Sequence, residues 1–466
     1  MSKAKLNTLN QQSLVRFLEG RQSKKFREKV FDFAGMVKKF HEVIDYFPDR
    51  RTGKNTSKDF KDAALGAFSL FFSQNPSFLS YQNTMQQAKG HNNASSLFGL
   101  KEVLSENHIR YLLDEVAPSY IAPMFSYILD GLNDSGYLDE FRSFNHNLLV
   151  ALDGTGHFSS HTLHCKNCKH MVQKDGSITY THLVVTPVVV KPGFNKVISL
   201  TPEFITPQDG HDKQDCENAA AKRWLKANGS KLRQLGVTIT GDDLYCNQPI
   251  CELLLEEKLD FILVCKKDSH KTLYEYVNFL KDDIQVVELR RWTGNKFLLE
   301  TYRFLNGVPL RDGKNALEVN WCELVTTTED TGKVVYKNAF VTNFEITCKD
   351  VKAIVSGGRA RWKIENENNN VLKTKGYHLE HNFGHGKKNL SNLLLSLNLL
   401  AFLFHTVLDL MDEKYQLIRR TLPTRKTFFE DIRALTRYWY FDSWTELMDF
   451  MLEGLELKLP EGIDSS

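Results

Sequence analysis

The sequence predicts a mixed α/β fold with helical flanks, and three observations carry that prediction. Short, wholly apolar runs, Leu148-Leu149-Val150-Ala151-Leu152 and Phe261-Ile262-Leu263-Val264-Cys265, have the length and composition of buried strands. Segments with apolar residues at helical spacing lie before, between and after them. Residues 267–348 are rich in β-branched and aromatic positions, punctuated by the turn signals Asn306-Gly307 and Arg311-Asp312-Gly313-Lys314. At 466 residues, 42% hydrophobic and 25% charged, the chain has material for a large core and more than one domain.

Residues 1–140 read as a helical N-terminal domain for DNA binding or assembly, with apolar residues at helical spacing in 25–33 and 60–72. The polar loop Pro48-Asp49-Arg50-Arg51-Thr52-Gly53-Lys54-Asn55 separates these two, and Ser105-Glu106-Asn107-His108 looks like a capped helix start. Residues 1–62 hold 15 Lys/Arg against 8 Asp/Glu, which suits either a nucleic-acid face or solvated helix surface. The net charge of +3 decides nothing by itself.

A core is predicted over 141–266 and 349–410, interrupted by a β-rich insertion at 267–348, with a helical C-terminal region at 411–466. Within the core, 148–152 is a strand, 181–190 a strand marked by Pro187 as an edge or a bulge, and 196–200 a shorter strand. Residues 216–232 read as a helix with Ala219, Ala220, Ala221 and Trp224 toward its buried side, followed by a strand at 237–241, a helix at 250–257 and a strand at 261–265.

Eight cysteines in a chain this long do not form a disulfide framework, and 1–19 has no apolar leader segment, so a reducing cytoplasm is expected. Residues 393–408 are apolar but short for a bilayer and contain Asn398 and His405; a buried core helix is expected and no membrane partner.

The chemistry rests on acids at element ends. Asp153 closes the first apolar strand, Asp242 closes the strand Val237-Thr238-Ile239-Thr240-Gly241, and Glu365 falls on a helix in Arg361-Trp362-Lys363-Ile364-Glu365. Carboxylates gathered this way suit two magnesium or manganese ions about 4 Å apart, the arrangement that serves phosphodiester chemistry. Any one of them is also explicable as a turn former or cap. In type and order the three motifs resemble the DDE transposases of bacterial insertion sequences, in the branch whose ribonuclease-H-like core carries a β insertion before the glutamate. The resemblance spans roughly residues 147–410, through Leu152-Asp153-Gly154-Thr155, Asp242-Asp243-Leu244-Tyr245 and the Arg361–Glu365 stretch. The Asp-x-x-aromatic pattern selects Asp242 over Asp243.

That resemblance implies a ribonuclease-H-like fold, and cleavage and strand transfer at mobile-element ends. Asp153, Asp242 and Glu365 would be the catalytic metal ligands, with double-stranded DNA as partner, a homodimer on DNA, and action at the bacterial nucleoid. A nuclease of the same fold without transfer activity, and a domesticated or inactive DNA-binding protein, are the alternatives. Two positions depart from the family pattern: Gly358 stands where a tyrosine is usual, and Leu372 where a lysine is, with Lys373 one residue late. Arg361, about 40° from Glu365 on an ideal helix, is the better phosphate clamp; Lys373 is the second DNA-binding candidate. Trp292 in the insertion is a candidate for stacking on a displaced base. Cys165 and Cys168, in His164-Cys165-Lys166-Asn167-Cys168-Lys169-His170, have zinc-ligand spacing, with two free thiols in a hairpin loop as the alternative.

Overall fold

The computed structural model describes residues 31–49, 51, 56, 58–86, 92–207 and 213–459. The helical segment expected at 25–33 falls mostly outside them; a helix runs from Phe33–Ile44, with the Asp32 carboxylate capping it by accepting from Gly35 N–H. The chain divides into two compact units, Phe141–Val371 and Met1–Glu140 with Leu372–Ser466. The helical segment at 390–411 therefore groups with the N-terminal helices, and the strand-bearing unit ends before it.

The Phe141–Val371 unit is a mixed α/β layer. Its strands are β1 (Leu148–Ala151), β2 (Gly154–Ser160), β3 (Lys169–Val172), β4 (Ile178–Val185), β5 (Val188–Val190), β6 (Ile198–Ser199), β7 (Glu203–Ile205), β8 (Val237–Gly241), β9 (Asp260–Val264), β10 (Gln285–Trp292), β11 (Phe297–Pro309), β12 (Glu318–Thr328) and β13 (Val334–Thr342). Its helices are α1 (Lys213–Leu235), α2 (Gln248–Glu256), α3 (Lys271–Phe279) and α4 (Val351–Arg359). Nine strands form one sheet in the order β10-β11-β12-β13-β9-β8-β1-β5-β6. Only the β1–β8 and β8–β9 pairs are parallel. β1 is buried at all four positions, which is why its sequence is a continuous apolar run instead of an alternating one.

One expectation needs correction here. Residues 181–190 are not one strand: β4 pairs with β2, β3 and β7 in a second sheet, whereas β5 joins the main sheet beside β1. The break falls at Thr186-Pro187, where the proline has no N–H for a ladder and the chain changes sheets. The segment expected as a β-rich insertion, 267–348, does carry mostly strands. Its four strands extend the main sheet from β9 outward, and it also carries the helix α3.

The insertion shares its core with α4. Tyr302, Phe304, Cys322, Leu324 and Phe340 from its strands pack with Ile262 and Val264 of β9 and with Val351, Ile354 and Val355 of α4. Gly357 and Gly358 let α4 press onto the sheet: a Cβ at Gly358 would lie 2.5 Å from the Phe340 ring and 2.9 Å from Ile262. The glycine at 358 is thus demanded by packing. The insertion's buried face fixes the helix that leads into Glu365.

In the other unit, the helix Leu390–Met411 is the one described helix long and apolar enough to cross a membrane, and 94% of its most apolar window is buried inside the protein. It packs against the helix Phe60–Phe72, with the Phe68 and Phe404 rings 4.8 Å apart. A helix does begin at Glu106 (Glu106–Leu113), but Ser105 makes no side-chain cap; its hydroxyl lies 3.3 Å from His108 Nδ1.

Candidate active site

The parallel register of β1 and β8 sets Ala151 opposite Thr240. Two residues further along each chain lie Asp153 and Asp242, so both acids leave the same end of neighbouring strands, about 5 Å apart in the pairing direction. The ladder is still held at this point, because Leu152 N–H donates to the Thr240 carbonyl at 2.9 Å. Asp242 turns the chain as well, accepting from Leu244 N–H at 2.9 Å.

Asp153 is the electrostatic centre of the cluster. Burial pushes its carboxyl up to about 7; the charges of Glu217 and Asp242 push the same way, Arg361 opposes them, and Glu365 adds to the rise. Four carboxylates therefore act on one another with a single guanidinium against them. Asp242, Glu365 and Arg361, the last two more than two hundred residues further along the chain, thus lie close enough for their charges to act on Asp153.

Glu365 lies in a π-turn, Ile364–Asn369, which follows α4. Angular arithmetic for an ideal α-helix does not apply there, since π hydrogen bonds run i to i+5. The π-turn also explains the run Asn366-Glu367-Asn368-Asn369-Asn370. Asn368 and Asn369 are both buried. Asn368 accepts from the Ser199 hydroxyl at 3.1 Å and donates to Asn369 Oδ1 at 3.0 Å. Asn369 Oδ1 accepts from the Thr186 hydroxyl at 3.2 Å, and Asn369 Nδ2 donates to Asp153 Oδ2 at 3.3 Å. Thr186 N–H in turn donates to the Asp153 carbonyl at 3.0 Å. The asparagines orient the first aspartate.

Glu217, on α1, is the residue that the sequence reading missed. It is 5% exposed and accepts the Tyr245 hydroxyl proton at 2.8 Å. Burial and the Glu217 charge together raise the Tyr245 phenol well above its ordinary value, so it remains a donor. Two glycines make room for this pair. A Cβ at Gly154 would lie 2.4 Å from the Glu217 carboxylate, and one at Gly241 would lie 2.8 Å from the Tyr245 ring. The glycines beside Asp153 and Asp242 are thus space-makers for Glu217 and Tyr245. A signal for Glu217 did exist: it sits three, four and seven positions before Ala220, Ala221 and Trp224, on the buried face of its helix.

Asp243 is occupied elsewhere. Its carboxylate accepts from Lys266 N–H at 2.6 Å and from the Ser269 hydroxyl at 2.5 Å, and lies 3.4 Å from His270 Nε2. Burial acts to raise it, but His270 and Ser269 outweigh that and hold it below the usual range. The other candidates fall outside the cluster. Lys373 belongs to the helical unit and forms a 2.8 Å ion pair with Glu380. Trp292 is 54% exposed at the end of β10, the outermost strand of the sheet, with its ring 4.7 Å from that of Phe297. Cys165 and Cys168 lie in the turn between β2 and β3.

Oxygen-only donors carrying surplus negative charge suit a hard divalent cation such as magnesium or manganese. Asp153, with a carboxyl near 7, gains most from a nearby positive charge. No known family model matches the sequence, and no curated protein matches it.

Proposed function

We propose that the chain is a DDE-type DNA transposase, which cuts strands at the ends of a mobile element and joins them to target DNA. The observation that carries this reading is the emergence of Asp153 and Asp242 from the same end of paired parallel strands, with Glu365 and Arg361 acting on the same carboxyl. The strand order supports it. A ribonuclease-H-like core is expected to run through three antiparallel strands, a helix and then a strand–helix–strand unit; β1, β5, β6, α1, β8, α2 and β9 come in that order, with β2, β3, β4 and β7 of the second sheet interposed.

In this reading Asp153, Asp242 and Glu365 hold two magnesium or manganese ions. Bound there, the ions supply positive charge to the attacking and leaving oxygens of an in-line phosphodiester exchange. Asn369 keeps Asp153 turned toward the ions, and Glu217, fixed by Tyr245, sets the negative potential that draws them in. Arg361 binds a phosphate oxygen of the scissile strand through its planar fork. Trp292 stacks on a base displaced from the duplex. The partner is double-stranded DNA, at element ends and at the target, bound by a homodimer at the bacterial nucleoid.

The test is metal-dependent nicking of DNA carrying the element's own ends, followed by capture of strand-transfer products. Asp153→Ala, Asp242→Ala and Glu365→Ala are each expected to reduce cleavage to background while leaving the far-ultraviolet circular dichroism unchanged. Full activity in any one of them removes that residue from the site. Cleavage without joined products favours a nuclease, and DNA binding without cleavage favours a domesticated DNA-binding protein.

A further inference from the structure

The β2–β3 turn and β4 bring together three groups that the carboxylate site does not use. Cys165 Sγ and Cys168 Sγ lie 3.9 Å apart, and His182 Nε2 lies 3.5 Å from the first and 3.2 Å from the second. An Sγ–Sγ separation of 3.9 Å is not a disulfide. It is the separation that one ion imposes. Tetrahedral zinc, with Zn–S bonds of about 2.3 Å and Zn–N bonds of about 2.0 Å, sets its ligand atoms about 3.8 Å apart for S to S and about 3.5 Å for S to N. All three observed distances fall within a few tenths of an ångström of these values.

We infer that Cys165, Cys168 and His182 are ligands of a structural zinc ion that fastens the β2–β3 turn to β4. Local geometry supports it from two sides. Cys168 N–H donates to the Cys165 carbonyl at 3.1 Å, which closes the Cys-x-x-Cys segment into a turn with both sulfurs on one side. Backbone N–H groups then point at the sulfurs: Asn167 N–H donates to Cys165 Sγ and Cys165 N–H to Cys168 Sγ, each at 3.4 Å. The neighbouring Cys165 and burial push the free Cys168 thiol up, and the N–H donors work against them, as suits a thiolate held by a bound ion.

Strand pairing supplies the imidazole. Lys169, directly after Cys168, pairs with Thr181, and Phe158 of β2 pairs with His182 itself. His182 is 3% exposed, wedged against the rings of His157 and Phe158 at centroid distances of 5.6 Å, so its orientation is fixed by packing. The nearer histidines in sequence serve other ends. His164 stacks on Tyr180 at 4.6 Å, and His161 Nδ1 lies 3.2 Å from the Ile178 carbonyl. On binding, both thiols lose their protons to solvent and the imidazole binds neutral through Nε2; a tetrahedral ion takes a fourth ligand beside these three.

The ion would sit beside the middle of β4, whose C-terminal end and whose partner β2 lie next to the first aspartate. β2 starts at Gly154, next to Asp153, and β4 ends one residue before Thr186, which bonds both Asp153 and Asn369. Cross-linking the β2–β3 turn to the middle of β4 would stiffen the frame around that carboxylate.

The full-length chain, purified under reducing conditions from zinc-supplemented medium, is expected to carry one zinc per chain by elemental analysis. Asp153→Asn should leave that stoichiometry unchanged, which separates this proposal from the transposase reading. Cys165→Ser, Cys168→Ser and His182→Ala should each lower it, and His182→Cys should retain it. Cobalt substitution should give a thiolate-to-cobalt charge-transfer band and tetrahedral visible bands, the charge-transfer band stronger in His182→Cys. A metal-free wild-type chain with both thiols freely titratable, a Cys165–Cys168 disulfide in the freshly purified protein, or full zinc content in His182→Ala overturns the inference.

Discussion

Two groups of charged side chains, one in each unit, show how differently a fold can treat charge. In the helical unit, the Arg419, Arg420, Arg425 and Lys426 cluster looks from its sequence like a phosphate-binding patch or a solvated loop. Its central member is neither. Arg425 donates to the Tyr377 hydroxyl at 2.7 Å and lies 5.8 Å from the Tyr377 ring centroid and 5.9 Å from that of Phe402. The same hydroxyl is 2.6 Å from Nδ1 of His405. His405 is fully buried, which holds it well below its ordinary pKa and keeps it neutral. Arg425 thus has its partners inside the fold, while His405 Nε2 and Arg419 Nη1 are buried without a hydrogen bond. At the strand ends of the other unit, Asp153 meets three like charges and one arginine. Protein interiors tolerate charge when the fold itself supplies its partner. A cluster of acids left in surplus is the better indicator of an external ligand, and a cation tied to a hydroxyl and two rings indicates structure.

Paired substitutions turn this contrast into the largest expected difference. Arg361→Ala should lower DNA cleavage by about a hundredfold, the usual consequence of removing one donor from a developing charge, with little change in melting temperature. Arg425→Ala should do the reverse, costing about 1–3 kcal/mol of stability through the lost charged hydrogen bond and ring contacts. Salt dependence of DNA affinity adds a second readout, since only a phosphate contact flattens it. If Arg425→Ala flattens that slope while the melting temperature stays put, the division between the two groups is wrong.

The glycines give a sharper probe of the carboxylate side. Gly154→Ala should place a methyl against the Glu217 carboxylate, which Tyr245 holds from the other side. An overpacked contact of this kind costs about 1–3 kcal/mol. Displacement of Glu217 beside Asp153 should lower cleavage by about a hundredfold, as misplacements of about 1 Å do. Combining Gly154→Ala with Glu217→Ala should restore stability by removing the clash. If the single variant cleaves DNA normally, Glu217 has no part in positioning the first aspartate.

The limits of sequence reading are visible in these same residues. β1 and β9 were legible because strands buried on both faces are continuous apolar runs, β8 because Val237, Thr238, Ile239 and Thr240 are all β-branched, and the acids after β1 and β8 follow directly. What escaped depends on long-range pairing. No local pattern shows that β4 and β5 part at Pro187 into different sheets, or that the insertion continues the main sheet. His182 lies 17 residues from Cys165 and reaches it only through the β2–β4 and β3–β4 ladders. The asparagine run gained a meaning only through the π-turn, whose register no α-helical projection gives. Glu217 was hidden differently: an acid in a helix is ordinarily surface, and only its place beside Ala220, Ala221 and Trp224 marks it as buried.

The contrast also predicts a slope with pH. Asp153 has its carboxyl near 7 in the folded chain, against about 3.9 in an unfolded one. Between those values the folded state holds a proton that the unfolded state has released. Stability of the metal-free protein should therefore fall as pH rises from about 4 through 7 on this account, and the effect is complete above the folded value. Asp153→Asn removes the group, so the measurement is the melting temperature of the wild type minus that of the variant in chelator. This difference should decline across the window and level off above it, other titrations cancelling. Magnesium should reverse the trend, because a bound cation favours the ionised carboxylate and binds more tightly as protons leave. A difference that stays flat with pH, with and without magnesium, would mean that Asp153 already has all the positive charge it needs, which would remove the contrast with Arg425.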